Sequence, residues 1–522
     1  MNVSLPRFGR KRSPATGILV FLFWATIFTL AYAQSPLYTS NQNQYFLHGL
    51  ARAGVGYLSA DWLANTIDPT PVFSGLVYLT YRILPWPPIF YIYFGIFAGI
   101  YLFSLLGIAT EIFGIGGTRA KRGMFLAVLV GLHSAVARYL IVRASGVHWA
   151  YLLDGGVAGQ RLLGSVLQPS TFGVLLVLSI YLFLRRKLAW AVVCLILAST
   201  VHPTYLLSAA ALTAVYMGIT YWDEKNLRRP LTLGAGALLG VTPILVHTFL
   251  IFGGTSTQAT ARARDLLVHF RIPHHAIPAE WFDASVIVKV AFVLLAIYLV
   301  RKTRLFHILL WPFILAIILT LAQVFTGSDI LALLFPWRIS TFLVPLSVSV
   351  SAVWALARLN DRFGKPAVSR QRALVSLSLI AALVLAAAGI AKFVVESHEK
   401  QSGDDRPMMA YVKASKSPGD LYLIPLHIQD FRLVTMAPAF VEFKSIPYKD
   451  MDVLEWYRRV SLAGSFYQTP LKRYGCATLD EIAAEGVTHV VMPYDHIASK
   501  CSNLHLQYQD IHYDVYALTA DY

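Results

Sequence analysis

Residues 301–325 read RKTRLFHILLWPFILAIILTLAQVF. After Arg304 the run holds no Asp, Glu, Lys or Arg, and it is about the 20 residues a helix needs to cross hydrocarbon. The basic cluster at its start belongs on the cytoplasmic side by the positive-inside effect. One segment therefore supplies both an environment and a direction. Comparable apolar runs recur from Thr16 to Lys392. Across 522 residues, 56% are hydrophobic and 14% charged, which excludes an ordinary soluble protein.

Charge divides the chain at residue 395. Residues 1–395 hold 32 Lys or Arg against 11 Asp or Glu, and residues 396–522 hold 12 against 17. The first excess sits in short loops between apolar runs, where anionic lipid rather than nucleic acid accounts for it. Arg7 to Arg12, Arg119 to Arg122, Arg185 to Lys187, Lys225 to Arg229, Arg301 to Arg304 and Arg358 to Arg372 can all be cytoplasmic under one arrangement. It uses about eleven spans, at 17–33, 88–112, 123–143, 171–184, 188–202, 204–221, 231–252, 286–300, 305–325, 338–357 and 373–394. The N-terminus is then inside and the C-terminal region outside. Residues 72–84 are expected to lie as a helix along the outer interface. The first run also resembles a cleavable signal peptide, with Ala31-Tyr32-Ala33 before Gln34, although it is long enough to span.

The expected fold is thus a polytopic α-helical membrane domain (1–395) with long outer loops at 34–87, 144–170 and 253–285. An extracytoplasmic α/β domain (396–522) follows. In the latter, 420–425 and 487–493 read as strands, and 452–460 and 478–485 as helices. Cys476 and Cys501 lie where a disulfide is permitted.

The outer loops carry the polar chemistry. The first contains YTSNQNQYFLHGL (Tyr38 to Leu50), Arg52, Asp61-Trp62 and Asp68-Pro69. Asp61 and Asp68 are its only carboxylates, each a candidate general base or a helix or turn cap. Arg138 lies near the outer end of the third apolar run, where an arginine pairs, lines a cavity or snorkels. His202-Pro203-Thr204 breaks two apolar segments. FRIPHH (Phe270 to His275) places His274 and His275 side by side, a spacing that fits no compact zinc motif. A cationic loop closing over an anion suits it better. FPWRIS (Phe335 to Ser340) combines a proline break with Trp337 and Arg338, and Asp329 and Arg338 are the only charges between Arg304 and Arg358. Irregular backbone at that depth is tolerated beside protein or a wet cavity. Tyr45, Trp62, Trp149 and Trp337 suit an interfacial aromatic belt.

This layout resembles the GT-C class of membrane glycosyltransferases, over nearly the whole chain and without a catalytic signature. YTSNQNQYFLHGL, FRIPHH and FPWRIS resemble stretches of uncharacterised bacterial members. The resemblance implies transfer of a sugar from a polyprenyl-phosphate donor to an acceptor at the outer face of the bacterial cytoplasmic membrane. It implies Asp61 or Asp68 as base, or as ligand to a divalent cation (Mg2+ or Mn2+). The phosphate would meet Arg338, Arg138, His202, His274 and His275, with Arg52, Trp62 and Trp337 touching substrate or lipid. The paired acids common in that class are absent from 34–71, and no residue set has metal-ligand spacing. A lipid-linked-saccharide flippase or a non-enzymatic envelope assembly protein are the alternatives. No nucleic acid is expected.

Overall fold

The computed structural model describes residues 14–115, 119–363, 368–468, 474–494, 501 and 503–519. Among these, seven helices are long and apolar enough to cross a membrane: Ala15–Tyr32, Ile89–Phe113, Pro203–Glu224, Arg228–Phe252, Leu305–Thr326, Asp329–Arg358 and Gln371–Gln401. Ala120–Leu132 and Ala135–Ser145 would make an eighth if taken as one span, bent by 48°. Three shorter apolar helices are Pro169–Leu184, Leu188–Val201 and Ala284–Leu299. Each expected segment overlaps one of these helices, but the short ones cannot cross unaided.

The bend has a local cause. Ser134 accepts a hydrogen bond from the Ala137 backbone N–H, so a new helix is capped inside what reads as one apolar run. The first helix, Pro14–Tyr32, packs its Ala25, Ile27, Phe28 and Ala31 into the core.

The two ends of the bundle differ in character. At one end the basic loops converge: Arg185 pairs with Glu111 at 2.6 Å, and Asp223 receives Arg186 at 3.0 Å and Arg304 at 3.2 Å. At the other end lie the first long loop, residues 253–283 and the C-terminal domain. The first loop is folded there. Its helix Gln42–Arg52 buries Phe46, Leu47 and Leu50 against Phe73 and Val77 of helix Pro71–Ile83, in the same core as the spans. Each such burial is worth roughly 2 kcal/mol. Helix Pro71–Ile83 is the one expected over 72–84; it has only 13 residues, too few to span.

No break separates the two halves of the chain. Helix Val368–Gln401 runs 34 residues, about 51 Å, through the expected boundary at 395. Beyond it, four strands form one sheet in the order β1-β2-β4-β3: β1 Tyr422–Leu423, β2 His489–Pro493, β3 Leu504–Gln509 and β4 Tyr513–Leu518. β1 and β2 are parallel and the other pairings antiparallel. Helices Asp450–Gln468 and Tyr474–Ala484 accompany the sheet, bearing out the two expected there. Hairpin β3–β4 was not expected from the sequence. Cys501 is disulfide-bonded and Cys194 is free and buried; the side chain of Cys476 lies outside the described residues.

Candidate functional site

Two helix breaks meet at the end of the bundle that carries the C-terminal domain. Leu188–Val201 stops at His202, which the following proline holds in extended backbone (φ −136°, ψ 99°). The second break begins at Phe335, a non-glycine residue with φ 50°, followed by the turn Pro336–Ile339 and helix Ser340–Phe363. Such backbone costs on the order of 1–3 kcal/mol and persists where its surroundings enforce it. Here Ser340 anchors the turn. Its hydroxyl donates to the Trp337 carbonyl and accepts from the Val157 N–H at 2.7 Å.

The turn delivers Arg338 to His202. The Arg338 Nη2 donates to His202 Nε2, its Nε donates to Thr204 Oγ1 at 3.1 Å, and its Nη1 reaches Gln160 Oε1 at 3.4 Å. Its guanidinium stands 5.1 Å from the Tyr205 ring centroid. Every acceptor is neutral, and among the described residues no carboxylate lies within ion-pair distance of Arg338. Because His202 Nε2 accepts, the ring proton belongs on Nδ1. That donor is buried and has no protein acceptor, which costs about 1–3 kcal/mol if left so. Tyr45 packs edge-on to the His202 ring at 6.1 Å.

An apolar groove of 310 Å³ adjoins this pair. Val72, Phe73, Leu76, Tyr93, Ile96, Phe97, Phe172 and Val201 line it. Val201 precedes His202, and Phe73 packs against Tyr45 at 6.5 Å.

Residues 253–285 and the C-terminal domain supply a second set of cations. The wide turn Leu266–Arg271 ends with Arg271 buried; its Nη2 donates to the Lys444 carbonyl at 2.5 Å and its Nε has no partner. His275 Nδ1 donates to the Ala158 carbonyl at 2.6 Å, leaving Nε2 as an acceptor. That approach needs a small neighbour: the His275 ring lies against Gly159, which has φ +65°. Burial, the adjacent His274 and the Arg338 charge push His275 down to about 3. Burial with Arg271 and Lys444 also lowers His274. Both imidazoles are therefore neutral.

The remaining expected residues, Trp337 apart, lie elsewhere. Asp61 is fully buried: Oδ2 takes Arg432 Nε at 2.6 Å and the Ala439 N–H at 2.9 Å, and Oδ1 caps the Leu63 N–H at 2.9 Å. It ties the first loop to the C-terminal domain and has no oxygen left for a substrate. Its assignment as base is corrected to a tether on that ground. Asp68 Oδ1 accepts from the Thr70 N–H at 2.9 Å; Oδ2 lies 3.2 Å from half-exposed Arg52, without the alignment of a hydrogen bond. Arg138 is not part of the Arg338 cluster either. It is neutralised by Asp154 at 3.4 Å, donates to the Tyr32 and His133 carbonyls, and stacks 4.2 Å over Tyr32. Trp62 lies under Arg459 of the C-terminal domain at 4.5 Å. Trp337 packs against Trp281 and Phe313.

Sequence reasoning placed Arg271 in the cationic loop of residues 253–285 but missed Gln160 and Lys444. It also missed Glu442, a buried carboxyl 3.5 Å from Arg432 Nη1 whose Oε2 is unpartnered. Lys289 carried a readable signal: a lysine in an apolar helix needs a partner, and its Nζ donates to the Gly156 carbonyl at 2.8 Å. Among the described residues no group of three or more His, Cys, Asp or Glu is arranged to hold a metal ion. Asp61, saturated by Arg432 and backbone donors, does not fit a divalent cation.

Fold and site together define a polytopic helical membrane protein with a cationic recess at one end, covered by an α/β domain. Residues 403–463 match the model of a domain of unknown function, DUF6798. No curated protein matches the chain. Two crystal structures of ArnT from Cupriavidus metallidurans are similar to it. The one bound to undecaprenyl phosphate is 12% identical, with 98% of this chain and 99% of that one covered and a TM-score of 0.44. The apo structure is 13% identical, with 97% and 98% covered and a TM-score of 0.41.

Proposed function

We propose that the chain is a membrane glycosyltransferase that moves a sugar from a polyprenyl-phosphate donor to an acceptor at the outer face of the bacterial cytoplasmic membrane. The observation that carries this reading is Arg338. It is a cation with neutral partners only, beside a groove lined with apolar side chains. A ligand with an anionic head and a hydrocarbon tail satisfies both features at once. As the glycosidic bond breaks, charge builds on the leaving phosphate, and a fixed guanidinium stabilises it without reorganisation. The His202 Nδ1–H is a second donor in need of an acceptor. Asp68, four residues before Val72 of the groove, is the base of choice, because its Oδ2, although buried, accepts no hydrogen bond and has Arg52 as its one ion partner among the described residues.

The test is transfer from a polyprenyl-phosphate sugar in reconstituted vesicles. R338A and D68N abolish product while the protein still inserts. D61N instead lowers stability, by about 3 kcal/mol for a broken buried pair, with turnover per folded molecule retained. Full activity in R338A refutes the proposal. One observation favours binding without chemistry: both first-loop acids are engaged by arginines. On that assembly-protein reading R338A loses the lipid, but the wild type shows no transfer.

A further inference from the structure

Arg271 and Arg161 both act on the Lys444 ammonium, and little offsets the charge of the three. Arg271 Nη2 donates to the Lys444 backbone carbonyl, and the Arg271 charge helps burial to lower the Lys444 ammonium. Arg161 stacks 3.8 Å over Tyr151 and lowers the Lys444 ammonium at a distance. Among the described residues none of the three lies within 4 Å of a carboxylate. The surrounding acids are committed. Asp154 serves Arg138, Asp265 serves Arg262, and Asp283 accepts from Ser285 and the Val286 N–H. Exposed Glu280 makes no ion pair among the described residues.

Glu442 is the acid that Arg271 and Lys444 feel, and burial pushes it up to about 7 despite Arg432 and the Ser445 N–H. It is therefore half neutral when it is most needed. Tyr45 and Tyr448 are the other ionisable groups near Arg271, and burial keeps Tyr45 protonated. Burial lowers Arg271, and burial together with neighbouring cations lowers Lys444 and His274. Arg271 Nε is a buried donor with no acceptor. The cluster is continuous with the first site: His275 feels both Arg338 and Lys444, and Tyr45 feels Arg338 while contributing to Arg271.

We infer that Arg271, Lys444 and Arg161 form a second anion subsite beside Arg338, built for a second phosphate. This rests on Arg338 holding the lipid phosphate. The second phosphate has two chemical sources, the outer phosphate of a polyprenyl diphosphate or a phosphate borne by the acceptor. Either is bound by charge-assisted hydrogen bonds, each worth tenfold or more in affinity.

The experiment is binding of undecaprenyl phosphate, undecaprenyl diphosphate and inorganic phosphate to the full chain in nanodiscs. It compares wild type, R338A, K444Q and R271Q/K444Q. K444Q is the informative variant, because Arg271 holds residue 444 by its backbone, which the substitution keeps. If the carrier supplies the phosphate, undecaprenyl diphosphate binds at least about tenfold tighter than the monophosphate, and K444Q removes that advantage while sparing the monophosphate. If the acceptor supplies it, the two lipids bind alike, and inorganic phosphate binds the monophosphate-loaded wild type but not K444Q. Unchanged binding of all three probes in K444Q and R271Q/K444Q overturns the subsite. Monophosphate binding that survives in R338A overturns the reading beneath it, and leaves the K444Q result to judge the subsite alone.

Discussion

Asp61 and Arg338 were chosen from the sequence for similar reasons, and their surroundings separate them. Asp61 meets Arg432, 371 residues away, and spends both oxygens on the junction. Nothing near Asp61 in sequence announces that partner. Arg338 meets His202, which was legible because each sits at its own proline break. At this scale the untested chemistry is that of Glu442. Burial outweighs Arg432 at 3.5 Å and raises the carboxyl from 4.5 to about 7. Between those values the folded protein keeps a proton that the unfolded chain releases. Stability is therefore full below pH 4.5 and falls as pH rises towards and past 7, by on the order of 3 kcal/mol. Thermal melts of wild type and E442Q at pH 5 and pH 8 check this. The wild type loses stability at pH 8 and E442Q does not.

Among the elements, the apolar helices were legible because hydropathy is a local property, readable window by window. The bend at His133-Ser134 was not, since the cap that makes it is one hydroxyl inside an apolar run. Hairpin β3–β4 was missed although LHLQYQ (Leu504 to Gln509) alternates apolar and polar residues; the run is short and the strand largely exposed. Its turn relies on Asp510, whose carboxylate accepts from the His512 and Tyr513 N–H groups at 2.7 Å. The first and last long helices depend on close approach. A Cβ at Gly389 would run into the Leu30 carbonyl, which is backbone and cannot swing away. G389V is expected to cost several kcal/mol by overpacking. Measured as fluorescence-detected size exclusion after heating, it lowers the melting temperature well below that of a Gly17→Ala control, where nothing lies near.

For the molecule as a whole, charge patterning proved as informative as hydropathy. Arg185, Arg186 and Arg304 gather at the end opposite the C-terminal domain, where they find Glu111 and Asp223. If lipid charge sets the direction, that end is cytoplasmic. In intact cells a membrane-impermeant maleimide then labels K413C and leaves K187C unlabelled until the membrane is opened; the reverse pattern inverts the topology. The individual residues of the C-terminal domain escaped notice because their contribution is long-range: Arg432, Glu442 and Lys444 gain meaning only against Asp61 and Arg271. The central claim is that Arg338 holds a lipid phosphate whose tail lies along Val72, Phe97 and Val201. The most direct measurement is a cryo-electron microscopy map of the chain with undecaprenyl phosphate. The prediction is phosphate density within about 4 Å of the Arg338 guanidinium and tail density in that groove. Phosphate density at another site, with Arg338 still held only by Gln160, Thr204 and His202, would contradict it.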